Sequence, residues 1–518
     1  MEVTSLNDFN KLESQIASVF GKIKLGDVLH SLYLLSKNSP DLEPFVVAGV
    51  ALLAARFCPP SKQSQPIKNC NIKYLVNLSK DYYLCDPITF DNDLYSKFIN
   101  SNPDSVVLRL VYSQFPFNPQ ISSGFSRPII LFDEIPKQLK GTKNIPIFDF
   151  ESKFKSISGV SVIDFITIGF VVASASRGNF AFTYNFFDKA RKQGIQLPDD
   201  KNIRSVMDHL TADKFKLIEL YEKRKNKDRR YRMYDFNPFV TYPIIRPCQS
   251  KGFSNFGLGF MHAPIPELIA PRISQGIYYQ MRNAYWTDFT DYFGHVFEKY
   301  VGLILENSVS SEQILSDSDI RDFYPSSNGK APDWILIDGS TAILVECKAF
   351  CFSRPAQAIA DEDSINSSLK QVVKGLEQLS SFISACQSKS LQLQKLQHCN
   401  IFKPILVSLE PLYLINSQLF KERINNMLSS KSIFDLDWQI LSIDEIELLQ
   451  PHIASGYKMA SILDELKQNI FNKVLQDLSS KTNKTFGDSF LYAKQEEIYQ
   501  RINIHNIISS NIKNNQKI

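Results

Sequence analysis

Eight cysteines in 518 residues, none in a paired Cys-x-x-Cys spacing, leave neither a zinc framework nor a disulfide scaffold a place to start. That usage fits a reducing compartment, and a cytoplasmic location is expected. The chain has no glycine-rich phosphate loop and no Walker-type Lys-Ser/Thr motif, so no ATPase motif of its own. Met1-Glu2-Val3-Thr4-Ser5 lacks the basic stretch and apolar run that open a secretory signal. The longest apolar stretches, residues 44–57 and 163–175, fall short of the roughly 18 residues a membrane helix needs, and the second contains Asp164. They are expected to be buried core helices, and no membrane partner is expected. No repeat of fixed period occurs. The net charge of +4 neither demands nor excludes nucleic acid, so what matters is where the basic residues cluster.

What is present is ordinary globular material, 44% apolar and 22% charged, enough for a large core divided among about two to four domains. Residues 1–220 read as mainly helical, for example over 25–35, 43–57, 164–174 and 202–220, with Pro40, Pro59, Pro60, Pro116 and Pro119 between helices. His30 and His209 stand singly in apolar helical context and read as core or surface groups. Residues 221–284 form a basic and Pro-rich connector that opens with Lys223, Arg224, Lys225, Lys227, Arg229, Arg230 and Arg232. A solvated helix end explains such a run as well as contact with phosphates does. In the second reading, Tyr231 or Tyr234 stacks on a base. The prolines across 235–247 forbid a regular helix and predict an edge strand or a connector packed by its aromatics.

The informative stretch is 330–348. Two apolar runs, 334–337 and 342–345, flank Gly339-Ser340, and a two-residue connection with glycine first is what a type II′ hairpin turn requires. With that loop, Asp338 faces Thr341, and counting outward puts Asp333 opposite Glu346. Side chains alternate faces along a strand and opposed residues share one, so Asp333, Glu346 and Lys348 emerge together, the opposed Cβ atoms about 4.5–5.5 Å apart. Like charges placed this way need a compensating cation, either Lys348 or a divalent metal. Hard carboxylate oxygens suit Mg²⁺, which would polarise a phosphodiester and activate a water. A surface hairpin ending in ordinary solvated charges is the plain alternative, since Glu-x-Lys is common.

Two features weigh against that alternative. Ile335, Ile337 and Leu344 lie on the acidic face and Trp334, Leu336, Ile343 and Val345 on the other, so both faces of the hairpin are expected to be covered. Upstream, Phe293, Val296, Phe297, Tyr300, Val301 and Ile304 form a helical apolar stripe. Gly294 and Gly302 flank Glu298 on its own helix face, where they allow close approach to a sheet and make Glu298 a third acid for the metal.

This combination resembles the PD-(D/E)XK nuclease superfamily, the restriction-endonuclease-like fold. The resemblance is carried by Glu298 in the helix, Pro332-Asp333 opening one strand and Glu346-Cys347-Lys348 closing the next, within residues 285–450. It implies a mixed sheet flanked by helices, in the order helix, three strands, helix, strand. It also implies Mg²⁺-dependent phosphodiester hydrolysis, with Mn²⁺ as a substitute, Asp333, Glu346 and Glu298 as ligands and Lys348 as the catalytic lysine. Members of the family place a Gln or Lys of the next helix near the site, which points to Gln371 and Lys374. The first strand of the sheet is expected at 320–324, helices at 366–386 and 416–428, and further strands at 403–409 and 438–443. Arg354 is expected at the surface or on a phosphate. Residues 451–518 read as carboxyl-terminal helices with a polar tail.

The expectation is therefore an α+β multidomain protein, a helical amino-terminal half joined to a PD-(D/E)XK-like domain. Its expected activity is that of a metal-dependent nuclease, with DNA favoured over RNA by the resemblance. It would act alone, as a homodimer or with a protein partner, and fold-level analogy places it in restriction or anti-phage defence. The competing readings are a nucleic-acid-binding or scaffold protein with an inactive nuclease fold, and an RNA-cleaving effector.

Overall fold

The computed structural model describes residues 3, 5–39, 41–60, 65–87, 103–117, 125–178, 181–247, 260–321, 323–324, 329–388 and 394–501. The polar tail at 509–518 and Cys248 lie outside these residues. The architecture is α+β, with a largely helical amino-terminal half and a mixed five-stranded sheet in the carboxyl-terminal half.

The helix Pro44–Phe57 has no polar face, and every residue from Val46 to Ala55 is buried. A helix apolar all round has to be wrapped by others. Leu6–Phe20, Leu25–Asn38 and Asn69–Tyr83 do so, bringing in Phe9, Leu12, Leu29, Leu32, Leu75 and Tyr82. Met233, Tyr234, Phe239 and Ile245 of the basic and Pro-rich segment complete the same core. The single helix expected over 202–220 is instead two, Asp200–Leu210 and Lys214–Arg224. Between them Thr211–Asp213 (β1) pairs in parallel with Ile244–Arg246 (β2). Asp213 then starts the second helix by accepting the Lys216 amide at 2.9 Å, the ordinary work of an N-cap aspartate.

The large sheet runs in the order β3 (Ile314–Ser316), β4 (Trp334–Asp338), β5 (Thr341–Lys348), β6 (Ile401–Ser408), β7 (Gln439–Ser442). The β3–β4 and β4–β5 pairs are antiparallel, and β5–β6 and β6–β7 are parallel. The first strand is thus not at 320–324. Ile320 lies in a short helix, Asp317–Arg321, because Ser316 and Asp319 hydrogen-bond to each other's backbone amides and turn the chain there. Both faces of the β4–β5 hairpin are covered. Trp334, Leu336, Ile343 and Val345 join the core with the helix Gln275–Glu306, and Ile335, Ile337 and Leu344 join that with the helix Glu362–Gln387. Further helices span Gln418–Ser429, Ile443–Ala454, Met459–Leu466, Phe471–Thr482 and Phe490–Arg501.

The main core runs from Ile129 to Ile498 and draws on all four segments delineated from the sequence. Ser126 Oγ donates to the Leu491 carbonyl at 2.8 Å. Arg127, 4% exposed, donates from Nε to Glu447 at 2.7 Å and also pairs with Asp444, while Tyr300 donates to Glu447 at 2.6 Å. No single helix among the described residues is long and apolar enough to cross a membrane.

Candidate active site

The hairpin turn is built as its residues require. Gly339 has φ +63°, a left-handed value at no cost to glycine, and Ser340 keeps a negative φ, the signature of a type II′ turn. Register follows: Asp338 faces Thr341 and Trp334 faces Val345. One step further out, Asp333 accepts the Cys347 amide on Oδ2 at 2.6 Å, which ties its carboxylate across the hairpin beside Glu346. Its own carbonyl accepts the Asp317 amide at 2.9 Å. Glu346, 2% exposed, pairs through Oε1 with Lys348, while its Oε2 is buried without a hydrogen-bond partner.

Glu298 reaches this rim from the helix on the opposite face, and Gly302 explains how. A Cβ added there would lie 1.9 Å from the Trp334 ring, so only glycine lets the indole lie flat on the helix. The indole Nε1 then donates to the Glu298 carbonyl at 3.1 Å. Gly294 does not play the matching part expected of it. Open space surrounds its would-be Cβ.

Burial pushes the Glu298 carboxyl up to about 7, with Asp317 and Glu346 adding to the shift. Asp333 is raised well above the usual carboxylate range by burial, then by Glu346 and Glu298. Burial raises Glu346 too, against the pull of Lys348. Lys348 is itself held up by Glu346 despite its own burial. The rim thus gathers four acids against two paired cations, Lys348 on Glu346 and Arg321 on Asp317 at 2.8 Å. Among the described residues no three His, Cys, Asp or Glu side chains stand grouped so that they could hold a metal ion, at this rim or elsewhere. Asp317 was missed from the sequence because the strand that places it was expected further along the chain.

Gln371 and Lys374 lie on the helix Glu362–Gln387, which crosses beside Lys348. A Cβ added at Gly375 would stand 2.8 Å from Leu406 and 3.7 Å from Lys348 Cε. Both side chains are exposed, and among the described residues no hydrogen bond joins them to the four site residues. Gln371 sits one turn before Gly375 and lines a cavity that also takes in Ala349, just past Lys348, and Ser408 and Ser442 at the ends of β6 and β7.

The basic run is only partly available to a ligand. Lys225 pairs with Glu222, Arg230 with Asp228 at 2.7 Å and Arg232 with Asp235 at 3.5 Å, whereas Lys223, Arg224, Lys227 and Arg229 are exposed. Tyr234 is not placed to stack on a base, since it is buried and donates to Asp86 at 2.6 Å. Arg354 is not a simple surface group either. It lines the cavity and donates to the Tyr234 carbonyl at 2.8 Å. Comparison with family models, curated proteins and solved structures finds no match to this chain.

Proposed function

We propose that the chain is a metal-dependent nuclease of the PD-(D/E)XK type, with Asp333, Glu346, Glu298 and Lys348 as its site. The observation that carries this reading is the pairing of Asp333 and Glu346 beside Lys348 at one sheet rim, within electrostatic reach of Glu298 and with one Glu346 oxygen buried and unpartnered. Buried acids that raise one another's pKa cost stability unless a cation joins them. The donors are all hard oxygens, the kind Mg²⁺ takes, with Mn²⁺ as a substitute; Asp333 and Glu346 would hold it, with Glu298 as the further acid nearby. When bound, such an ion supplies Lewis-acid polarisation of a phosphoryl oxygen and lowers the pKa of water. The chain's own residues do the rest. Asp333 is fixed by the Cys347 amide, and Lys348 offsets charge gathering on the phosphate.

DNA is favoured over RNA by the family resemblance, and a role in restriction or anti-phage defence is an extension of the same analogy. The test is cleavage of plasmid DNA and of structured RNA with and without Mg²⁺, by the wild type, Asp333→Ala and Lys348→Ala. Each substitution is expected to lower the rate at least about 10²-fold, the usual cost of one preorganised electrostatic group. Equal cleavage by all three removes the assignment. Binding without cleavage by any of them favours a scaffold that keeps the fold without turnover.

A further inference from the structure

The cavity beside the rim has a volume of about 2180 Å³, well beyond the roughly 300–1,000 Å³ of a small-molecule pocket. Four arginines line it, Arg224, Arg272, Arg282 and Arg354, and among the described residues none forms an ion pair with a carboxylate. The acids in the same wall are already committed. Asp235 accepts from Tyr221 at 2.6 Å, Asp444 pairs with Arg127, and Glu445 is held by Ser442. Burial raises Glu410, against a hydrogen bond from Tyr279 and the nearby charge of Arg282, which forms no ion pair with it.

Arg272 is 8% exposed. Its Nε donates to the Thr241 carbonyl at 3.0 Å and its Nη2 to Gln280 at 3.1 Å, while Nη1 has no partner. Arg282 Nε is likewise buried without a partner. Desolvation lowers both Arg272 and Arg354 to about 10. Arg354 is nonetheless open to water, which is the mark of a deep recess rather than a packed core. Cations kept this way are costly until an anion joins them.

The arginines also lie on aromatic faces. Arg224 and Arg354 sit 4.9 and 5.8 Å from the same Phe236 ring, and Arg282 sits 4.9 Å from Trp286. Trp286 is 62% exposed at the cavity wall, at a break in its helix where φ is +29°. A bulky residue in that strained conformation costs energy that only its surroundings or a use can offset. Guanidinium groups and open aromatic faces in one groove suit a chain of phosphates whose bases are unstacked, since a duplex keeps its base faces covered.

We propose that this cavity receives a single-stranded polynucleotide, with Arg272, Arg282 and Arg354 on its phosphates and Trp286 stacked on a base. The fate of the bound strand rests on the nuclease reading, but the binding itself does not. The test is fluorescence anisotropy with the full chain carrying Asp333→Asn, in EDTA, using labelled single-stranded DNA, single-stranded RNA and duplex DNA of matched sequence. Single strands are expected to bind at least about tenfold tighter than duplex, and the tighter of DNA and RNA identifies the natural strand. Trp286→Ala, at an exposed site, is expected to weaken binding about tenfold. Arg282→Gln and Arg354→Gln are each expected to flatten the dependence of log affinity on log salt by about 0.7. Duplex binding as tight as single-strand binding, equal competition by a mononucleotide, or indifference to all three substitutions overturns the proposal. Arginine-dependent binding with no cleavage by the wild type in Mg²⁺ removes the nuclease reading alone, and cleavage indifferent to the arginines removes this one alone.

Discussion

Of the places where the described residues bury acidic groups beside a cation, two treat the charge oppositely. Around Arg127 the guanidinium meets Asp444 and Glu447, and the Tyr300 hydroxyl takes a further position on Glu447, so hydrogen bonding among buried groups is complete. At the hairpin rim Lys348 engages Glu346 alone, Glu346 Oε2 is left unpartnered, and Asp333 and Glu298 remain to repel one another. The difference teaches where to look for chemistry. A closed cluster serves structure, and an open one asks for something from outside.

Breaking the closed cluster is expected to have the larger effect on folding. Arg127→Ala leaves two carboxylates without their cation, and chemical denaturation is expected to show a loss of about 3–5 kcal/mol. A loss below about 1 kcal/mol would show that the cluster is no more closed than the rim.

The rim is expected to show itself through pH. Glu298 sits near 4.5 when solvated and is raised to about 7 in the folded chain. The folded state therefore binds more protons through that window, and stability falls as pH rises from about 4.5 to 7, on the order of 2 kcal/mol. Melting in EDTA reads this slope directly. Mg²⁺ is expected to restore stability most above pH 7 and least near pH 5, and Glu298→Gln to flatten the slope. A melting temperature that ignores both pH and Mg²⁺ in this range would contradict an open cluster.

The smallest effect marks the other end of the scale. Arg230 and Asp228 form a fully visible ion pair at the surface, and Arg230→Ala is expected to change stability by less than about 0.5 kcal/mol in the same denaturation experiment.

The hairpin was legible in the sequence because its determinants are local. Gly339-Ser340 sets the turn, and strand parity then puts Asp333, Glu346 and Lys348 on one face. Gly302 was legible as a close-approach site, although the side chain that needs it, Trp334, is distant in the chain. Strand β3 was not, since three residues carry too little alternation to mark a strand. The arginine cavity left no trace in any window of sequence, because its wall is gathered from residues as far apart as Phe45 and Asn472. The break at Trp286 shows only in its backbone.

The bonds from Ser126 to Leu491 and from Arg127 to Glu447 span 365 and 320 residues. Synthesis runs from the amino end, so an early segment of this protein must wait for almost the whole chain before its partners leave the ribosome. A molecule made only through β5 therefore carries the hairpin while Ser126 and Arg127 still lack Leu491 and Glu447.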